Sequence, residues 1–161
     1  MGDFIDRFEI EGPRTRPGMH LGDTAGLLRV LRLAVHLERQ LAVTSAVKPG
    51  QFQVLAALRR RDPLPMNASE LAEAALLTTG AMTAVLDRLE EQGLIRREMD
   101  AEDRRARRIT ITEKGRTLIN RALDQRMAQH RALNAVLTLE EREALSDILR
   151  KLLIAVEGEP S

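Results

Sequence analysis

Leu27, Leu28, Leu31, Ala34, Val35, Leu37 and Leu41 recur at three- and four-residue intervals, with Arg29, Arg32, Glu38 and Arg39 largely on the other side. That spacing predicts an amphipathic helix ending near Thr44-Ser45, with Asp23 as its N-cap. Pro49 then opens a second helix, at a position where the missing amide is not needed. Phe52, Leu55, Ala56 and Leu58 form its apolar face, and Arg59-Arg60-Arg61-Asp62-Pro63 ends it. Ahead of both, Asp3 is placed to cap a short helix with Phe4, Ile5 and Phe8 on one side. Gly12-Pro13 and Pro17-Gly18 are expected to break it.

The middle of the chain changes rhythm. Asn67-Ala68-Ser69-Glu70 reads as a capping box, in which the Asn side chain takes the N3 amide and Glu70 reaches back. A short helix follows with Leu71, Ala72 and Ala75 inward. Leu76-Leu77-Thr78-Thr79-Gly80 is a turn, and Thr78 or Thr79 caps a second helix that runs through Gln92 and stops at Gly93. Leu94–Met99 and Arg107–Thr112 read as strands, with Ile109 and Ile111 alternating with Arg108, Thr110 and Thr112. Asp100–Ala106 is the polar tip between them. Thr112 caps a long helix carrying Leu118, Ile119, Ala122, Leu123, Met127 and Leu133. A second capping box, Thr138-Leu139-Glu140-Glu141, starts a last helix with Leu145, Ile148, Leu149, Leu152, Leu153 and Val156.

Composition narrows the chemistry. With three Phe, no Tyr and no Trp among 161 residues, aliphatic side chains must fill the core, which suits helix-on-helix packing. The absence of cysteine removes disulfides, thiolate catalysis and Cys-based zinc sites, and fits a reducing cytosol. Net charge is only +1, so attraction to a polyanion has to come from a local patch. Met1–His20 has no apolar signal region, and no run approaches the roughly 18–20 apolar residues that span a bilayer. No membrane association is expected.

One local patch stands out. Arg104, Arg105, Arg107 and Arg108 cluster at and just after the hairpin tip. Arginine on a slender turn can enter a narrow minor groove, where the potential of DNA is most negative. Asp103 beside them can ion-pair with one and brace the turn. In the preceding helix, Met82, Val85, Leu86 and Leu89 converge on one face, while Thr79, Gly80, Thr83 and Ala84 leave the N-terminal end small and polar. Such an end can approach base edges in a major groove. Taken alone, this helix reads better as an amphipathic helix with a solvated face. The spacing of turn, helix, glycine stop and basic hairpin is what points to nucleic acid.

Asn67 to Gly115 resembles the DNA-binding core of the MarR (multiple antibiotic resistance regulator) family of bacterial repressors. Ser69-Glu70-Leu71-Ala72, Leu86 to Ile95, the wing Asp100 to Arg105, and Ile111-Thr112-Glu113-Lys114-Gly115 carry the likeness. The resemblance implies a mainly α fold with a small β-hairpin wing: a winged helix-turn-helix inserted between helices that form a dimerisation stalk. It divides the chain into an N-terminal arm or short helix at 1–20, a first dimerisation helix at 21–46, the winged domain at 47–112 and C-terminal dimerisation helices at 113–161. The expected DNA-binding set is Asn67, Ser69, Thr78, Thr79, Gly80, Ala81, Thr83, Ala84, Arg88, Arg104, Arg105 and Arg107, with Asp103 as the wing brace. Thr83 matches the family's DNA-facing threonine and Arg105 its wing-tip arginine. The implied partners are a second copy of the chain, a pseudo-palindromic double-stranded operator and a small aromatic or anionic effector that releases it. Arg32 and His36 fall near the family's effector pocket.

The likeness has departures. Gly80 and Ala84 stand where relatives carry longer polar residues, leaving base readout to Thr83, methyl contacts and DNA shape. Lys48 replaces a capping Thr or Ser. Residues 76–82 resemble a branch responsive to metabolites such as urate or trans-aconitate, but no Trp matches the urate-type signature. His20, His36 and His130 lack metal-ligand spacing, no nucleotide or nucleophile motif is present, and neither cofactor nor enzymatic activity is expected. The competing reading is a helical dimer whose winged domain binds protein, which the weak net charge favours and the wing arginines oppose.

Overall fold

A computed structural model describes residues 2–16, 18, 22–44, 46–99 and 107–158. Among these there are seven α-helices and one two-stranded hairpin: α1 Phe4–Thr15, α2 Ala25–Thr44, α3 Pro49–Arg61, α4 Ala68–Ala75, α5 Thr79–Glu91, β1 Ile95–Met99, β2 Arg107–Ile111, α6 Glu113–Asn134 and α7 Leu139–Glu157. The expected tip, Asp100–Ala106, lies outside the described residues, and Asp103, Arg104 and Arg105 with it.

Local signals set most boundaries. Asn67 Oδ1 accepts from the Glu70 amide at 2.9 Å while Glu70 Oε2 accepts from the Asn67 amide at 2.8 Å, completing the capping box of α4. Thr138 and Glu141 repeat it at α7. Thr78 caps α5, and Gly93 at φ +66° stops it one residue past the Gln92 cap. Residues 22–24 form a single 3₁₀ turn before α2; the side chain of Asp23, its expected cap, lies outside the described ones.

One expectation fails. Gly12-Pro13 does not break α1, which runs one turn further to Thr15 and closes with the Arg16 amide donating to Gly12 O at 2.9 Å. In a final turn a proline removes a single ladder bond, which the strong start compensates: Asp3 and Asp6 form a capping box there. α1 is also held from outside. Arg29 of α2 binds Asp3 at 2.8 Å and pairs with Asp6, while Ile5 is buried with Ala25. The Arg29 hydrogen bond holds the Asp3 carboxyl below the usual carboxylate range.

The core sits around α3, which touches α2, α4, α5, α6 and β2. Its periodicity announces one apolar face, yet Val54 and Ala57 are buried along with Phe52, Leu55 and Leu58. A central helix has neighbours on every side, so small and medium side chains outside the main stripe are covered too. At its C-terminal end Arg116 of α6 donates Nε and one terminal nitrogen to the two oxygens of Asp62, both at 2.7 Å. That fork lowers the Asp62 pKa.

The hairpin pairs Ile95 with Ile111, Arg97 with Ile109 and Met99 with Arg107 on one face, and Arg96 with Thr110 and Glu98 with Arg108 on the other. Ile95, Ile109 and Ile111 are buried, so the first face is the inner one. Met66, ahead of α4, adds a third rung: its amide and carbonyl both bond Ile109, at 3.0 and 2.8 Å.

The turn between α4 and α5 holds a strained residue. Leu76 adopts φ 51°, ψ 40° as the cap of α4 and is 83% exposed. A side chain with Cβ costs about 1 kcal/mol in this left-handed region, and Leu76 recovers little of it through contacts. Leu76→Gly is therefore expected to stabilise the protein by roughly 1 kcal/mol. A thermal melt checks this, and a lower melting temperature would show that the leucine packs on something beyond its own chain.

Candidate nucleic-acid interface

Helix α5 is divided sharply. Met82, Leu86 and Leu89 are buried, and Val85 is half-buried. Thr78, Thr79, Gly80, Ala81, Thr83, Ala84 and Arg88 are all exposed. The predicted set on this helix thus forms one continuous surface, with Asn67 and Ser69 exposed at the start of the neighbouring α4.

Several of these groups carry partial commitments. Asn67 Oδ1 is engaged in its cap, which leaves its amide NH₂ as a donor. Thr83 donates its hydroxyl to Thr79 O at 3.2 Å, so its lone pairs and methyl remain for a base edge. A Cβ built on Gly80 meets nothing within 4 Å, so the bareness of this end is not imposed by packing. The Arg88 side chain has no hydrogen bond or ion pair among the described residues.

The C-terminal end of α5 is fastened by contacts between elements that sequence reasoning missed. Buried Gln51 of α3 donates to Gln92 Oε1 at 3.2 Å. Lys114 Nζ donates to Gln92 O at 2.7 Å, and Thr112 Oγ1 donates to Gly93 O at 2.8 Å. Arg97 of β1 meets Asp87 at 2.7 Å and Glu90 at 3.3 Å. No local pattern marks these contacts, because each joins different elements.

The wing arginines sort by register. Arg107 shares the inner face with Arg97 and Ile109 but lies beyond the body, exposed beside Met99. Arg96 and Arg108 point to the opposite face, where Arg96, Glu98 and Thr110 line a cleft of about 440 Å³ with Asp62 and Arg116.

The residues expected near an effector are on α2. Arg32 lies over the Phe4 ring of α1 at 4.1 Å, and His36 is exposed. A second arginine was not anticipated: Arg126 of α6 lies over the Phe52 ring at 3.8 Å, its Nε buried without a hydrogen-bond partner. Burial lowers its pKa, opposed by the charge of Glu38. Among the described residues no group of three or more His, Asp or Glu could hold a metal ion, and no helix is long and apolar enough to cross a membrane.

Residues 47–106 match the model of the MarR family. An uncharacterised HTH-type transcriptional regulator of Bacillus cereus (strain ATCC 14579) is 31% identical over 127 residues, covering 78% of this chain and 83% of that one. The chain belongs to the MarR family. The HTH-type transcriptional regulator PecS of Dickeya dadantii is 33% identical over 103 residues, which cover 63% of this chain and 62% of PecS. The structure of Bordetella bronchiseptica BpsR, whose DNA binding is regulated by 6-hydroxynicotinic acid, superposes with a TM-score of 0.67 at 26% identity, covering 78% of this chain and 94% of BpsR. The mostly helical fold with one antiparallel hairpin is that of winged-helix MarR regulators.

Proposed function

We propose that the chain is a homodimeric repressor that places α5 in the major groove of a pseudo-palindromic operator and the hairpin tip in the adjacent minor groove. The observation that carries this reading is the division of α5. Its inner face is locked into the core, and its outer face, Thr79 to Arg88, is small, polar and uncovered beside a basic hairpin. We assign Asn67, Ser69 and Thr78, exposed at the starts of α4 and α5, to backbone phosphates, and Arg104, Arg105 and Arg107 to the wing, with Asp103 as brace.

A second copy is the occupant that the terminal helices call for. α7 buries none of its residues within one chain, and Leu145, Ile148, Leu152, Leu153 and Val156 are exposed along it. A two-fold dimer would hold two recognition helices about one turn of DNA apart.

Release by a small aromatic or anionic effector completes the proposal. BpsR provides the precedent for such an acid. Arg32, His36 and the incompletely bonded Arg126 are the side chains we assign to its recognition. Binding of 6-hydroxynicotinate itself can be tested by thermal shift.

Salt dependence tests the DNA-binding reading. Affinity for duplexes selected from a random-sequence pool should fall steeply as salt rises, because bound phosphates release counterions. Arg105→Ala should weaken binding roughly tenfold or more while the melting temperature holds. Unchanged affinity in that variant would remove the wing from the mechanism, and salt-independent binding would remove the phosphates.

A further inference from the structure

We propose that Arg97 is a positioning residue for DNA binding: it grips Asp87 and Glu90 and so fixes the recognition helix relative to the wing. The inference rests on the DNA-binding reading above and assigns a task to a cation that reading does not use.

The geometry is specific. Arg97 is the one charged side chain on the inner face of β1, between buried Ile95 and exposed Met99. Its side chain is 14% exposed, far less than an ordinary surface arginine. Asp87 and Glu90 stand three residues apart on α5, so they share the flank that faces the strand. One guanidinium terminal nitrogen donates to Asp87 at 2.7 Å, while Nε, buried without a hydrogen-bond partner, lies at ion-pair distance, 3.3 Å, from Glu90. The planar guanidinium holds Asp87 in a fixed direction through a charge-assisted hydrogen bond and draws Glu90 by charge, so one side chain engages both carboxylates of the flank.

The need for such a clasp follows from the connection. Between α5 and β1 the chain has only the Gln92-Gly93-Leu94 turn, bonded at its own backbone. That turn fixes where the strand begins but has little leverage on the angle of the strand's far half. Arg97 acts two residues further out, reaching back to Asp87 and Glu90 in the C-terminal part of α5. A helix in one groove and a hairpin in the next must keep their relative placement to well under a helical turn, about 0.5 Å and 10–20° for a precise site.

Charge gives the test its sign. Asp87 and Glu90 are negative groups on the helix that approaches a polyanion. If they mattered only through their charge, removing them would strengthen DNA binding. If they anchor Arg97, removing them weakens it. Four proteins are compared on duplexes that the wild type selects from a random-sequence pool: wild type, Arg97→Gln, the pair Asp87→Asn/Glu90→Gln, and the triple variant. Thermal melts run in parallel. The expected result is a loss of roughly tenfold in affinity for the carboxylate pair despite its added positive charge. Arg97→Gln loses a similar factor, and the triple variant is no weaker than Arg97→Gln alone, because the three groups act as one unit. Tighter binding by the carboxylate pair, or losses that simply multiply in the triple variant, would overturn the proposal and make Arg97 an ordinary phosphate contact or a bystander. Failure of the wild type to select any duplex would instead overturn the DNA-binding reading. The carboxylate pair is at the surface, so it remains interpretable even if Arg97→Gln folds poorly.

Discussion

Gly115→Ala is expected to lower the stability of the protein by about 3 kcal/mol or more. Gly115 lies in the first turn of α6, where Thr112 Oγ1 accepts its amide at 3.1 Å. A Cβ built there would stand 2.2 Å from Leu94 O and 2.8 Å from a side-chain carbon of Ile111. Neither neighbour can withdraw cheaply. Leu94 O already accepts from the Thr112 amide at 3.0 Å, and Ile111 is buried as the pair of Ile95. The helix would have to move off the root of the wing, breaking the Lys114 and Thr112 bonds that hold the end of α5. In a chain of this size the loss corresponds to a fall in melting temperature on the order of 10 °C. Gly80→Ala is the control, since its Cβ meets open space, and it should be neutral or slightly stabilising. A melting temperature unchanged in Gly115→Ala would mean that α6 can slide freely against the wing.

Ile148→Glu should convert the proposed dimer into a monomer. Ile148 is central to the α7 stripe and 56% exposed in the single chain, so its substitution removes nothing from the winged core. In a two-fold interface each chain loses about 2 kcal/mol of apolar burial, and the loss counts twice. Two unpaired carboxylates must also be desolvated. The dimer dissociation constant is expected to rise on the order of a thousandfold or more. Sedimentation equilibrium at low micromolar concentration measures it directly, and operator affinity should fall in parallel because the half-sites are then bound independently. A variant that remains fully dimeric would place the interface elsewhere, with α1 or α2 as the alternatives, since Phe8, Leu27 and Leu31 are also exposed.

The two variants read different parts of the same sequence. Ile148 belongs to a stripe visible as spacing alone, whereas Gly115 gives no sign of its constraint until α6 is laid against Leu94. The wing shows the same contrast. Alternation along Arg107–Thr112 is enough to separate Ile109 and Ile111 from Arg108 and Thr110. It does not say that Arg97, one of a pair of adjacent arginines, turns inward to α5 while Arg96 faces a cleft with Asp62.

What the sequence by itself determined is whatever depends on atoms a few residues apart. The capping boxes at Asn67 and Thr138, the Thr78 and Thr112 caps, the glycine stop at Gly93 and the inner stripe Met82-Leu86-Leu89 are all of this kind. Their hydrogen bonds span three or four residues, and helical periodicity registers directly in the order of side chains. Only the tertiary structure decided the burial of α3 on nearly all sides, the Met66 rung beside Ile109, the run of α1 through Gly12-Pro13, the close approach at Gly115 and the partners of Arg97. Each of these depends on which elements lie side by side. Charge and hydrophobicity mark a residue as able to pair or pack, but packing alone selects its neighbour.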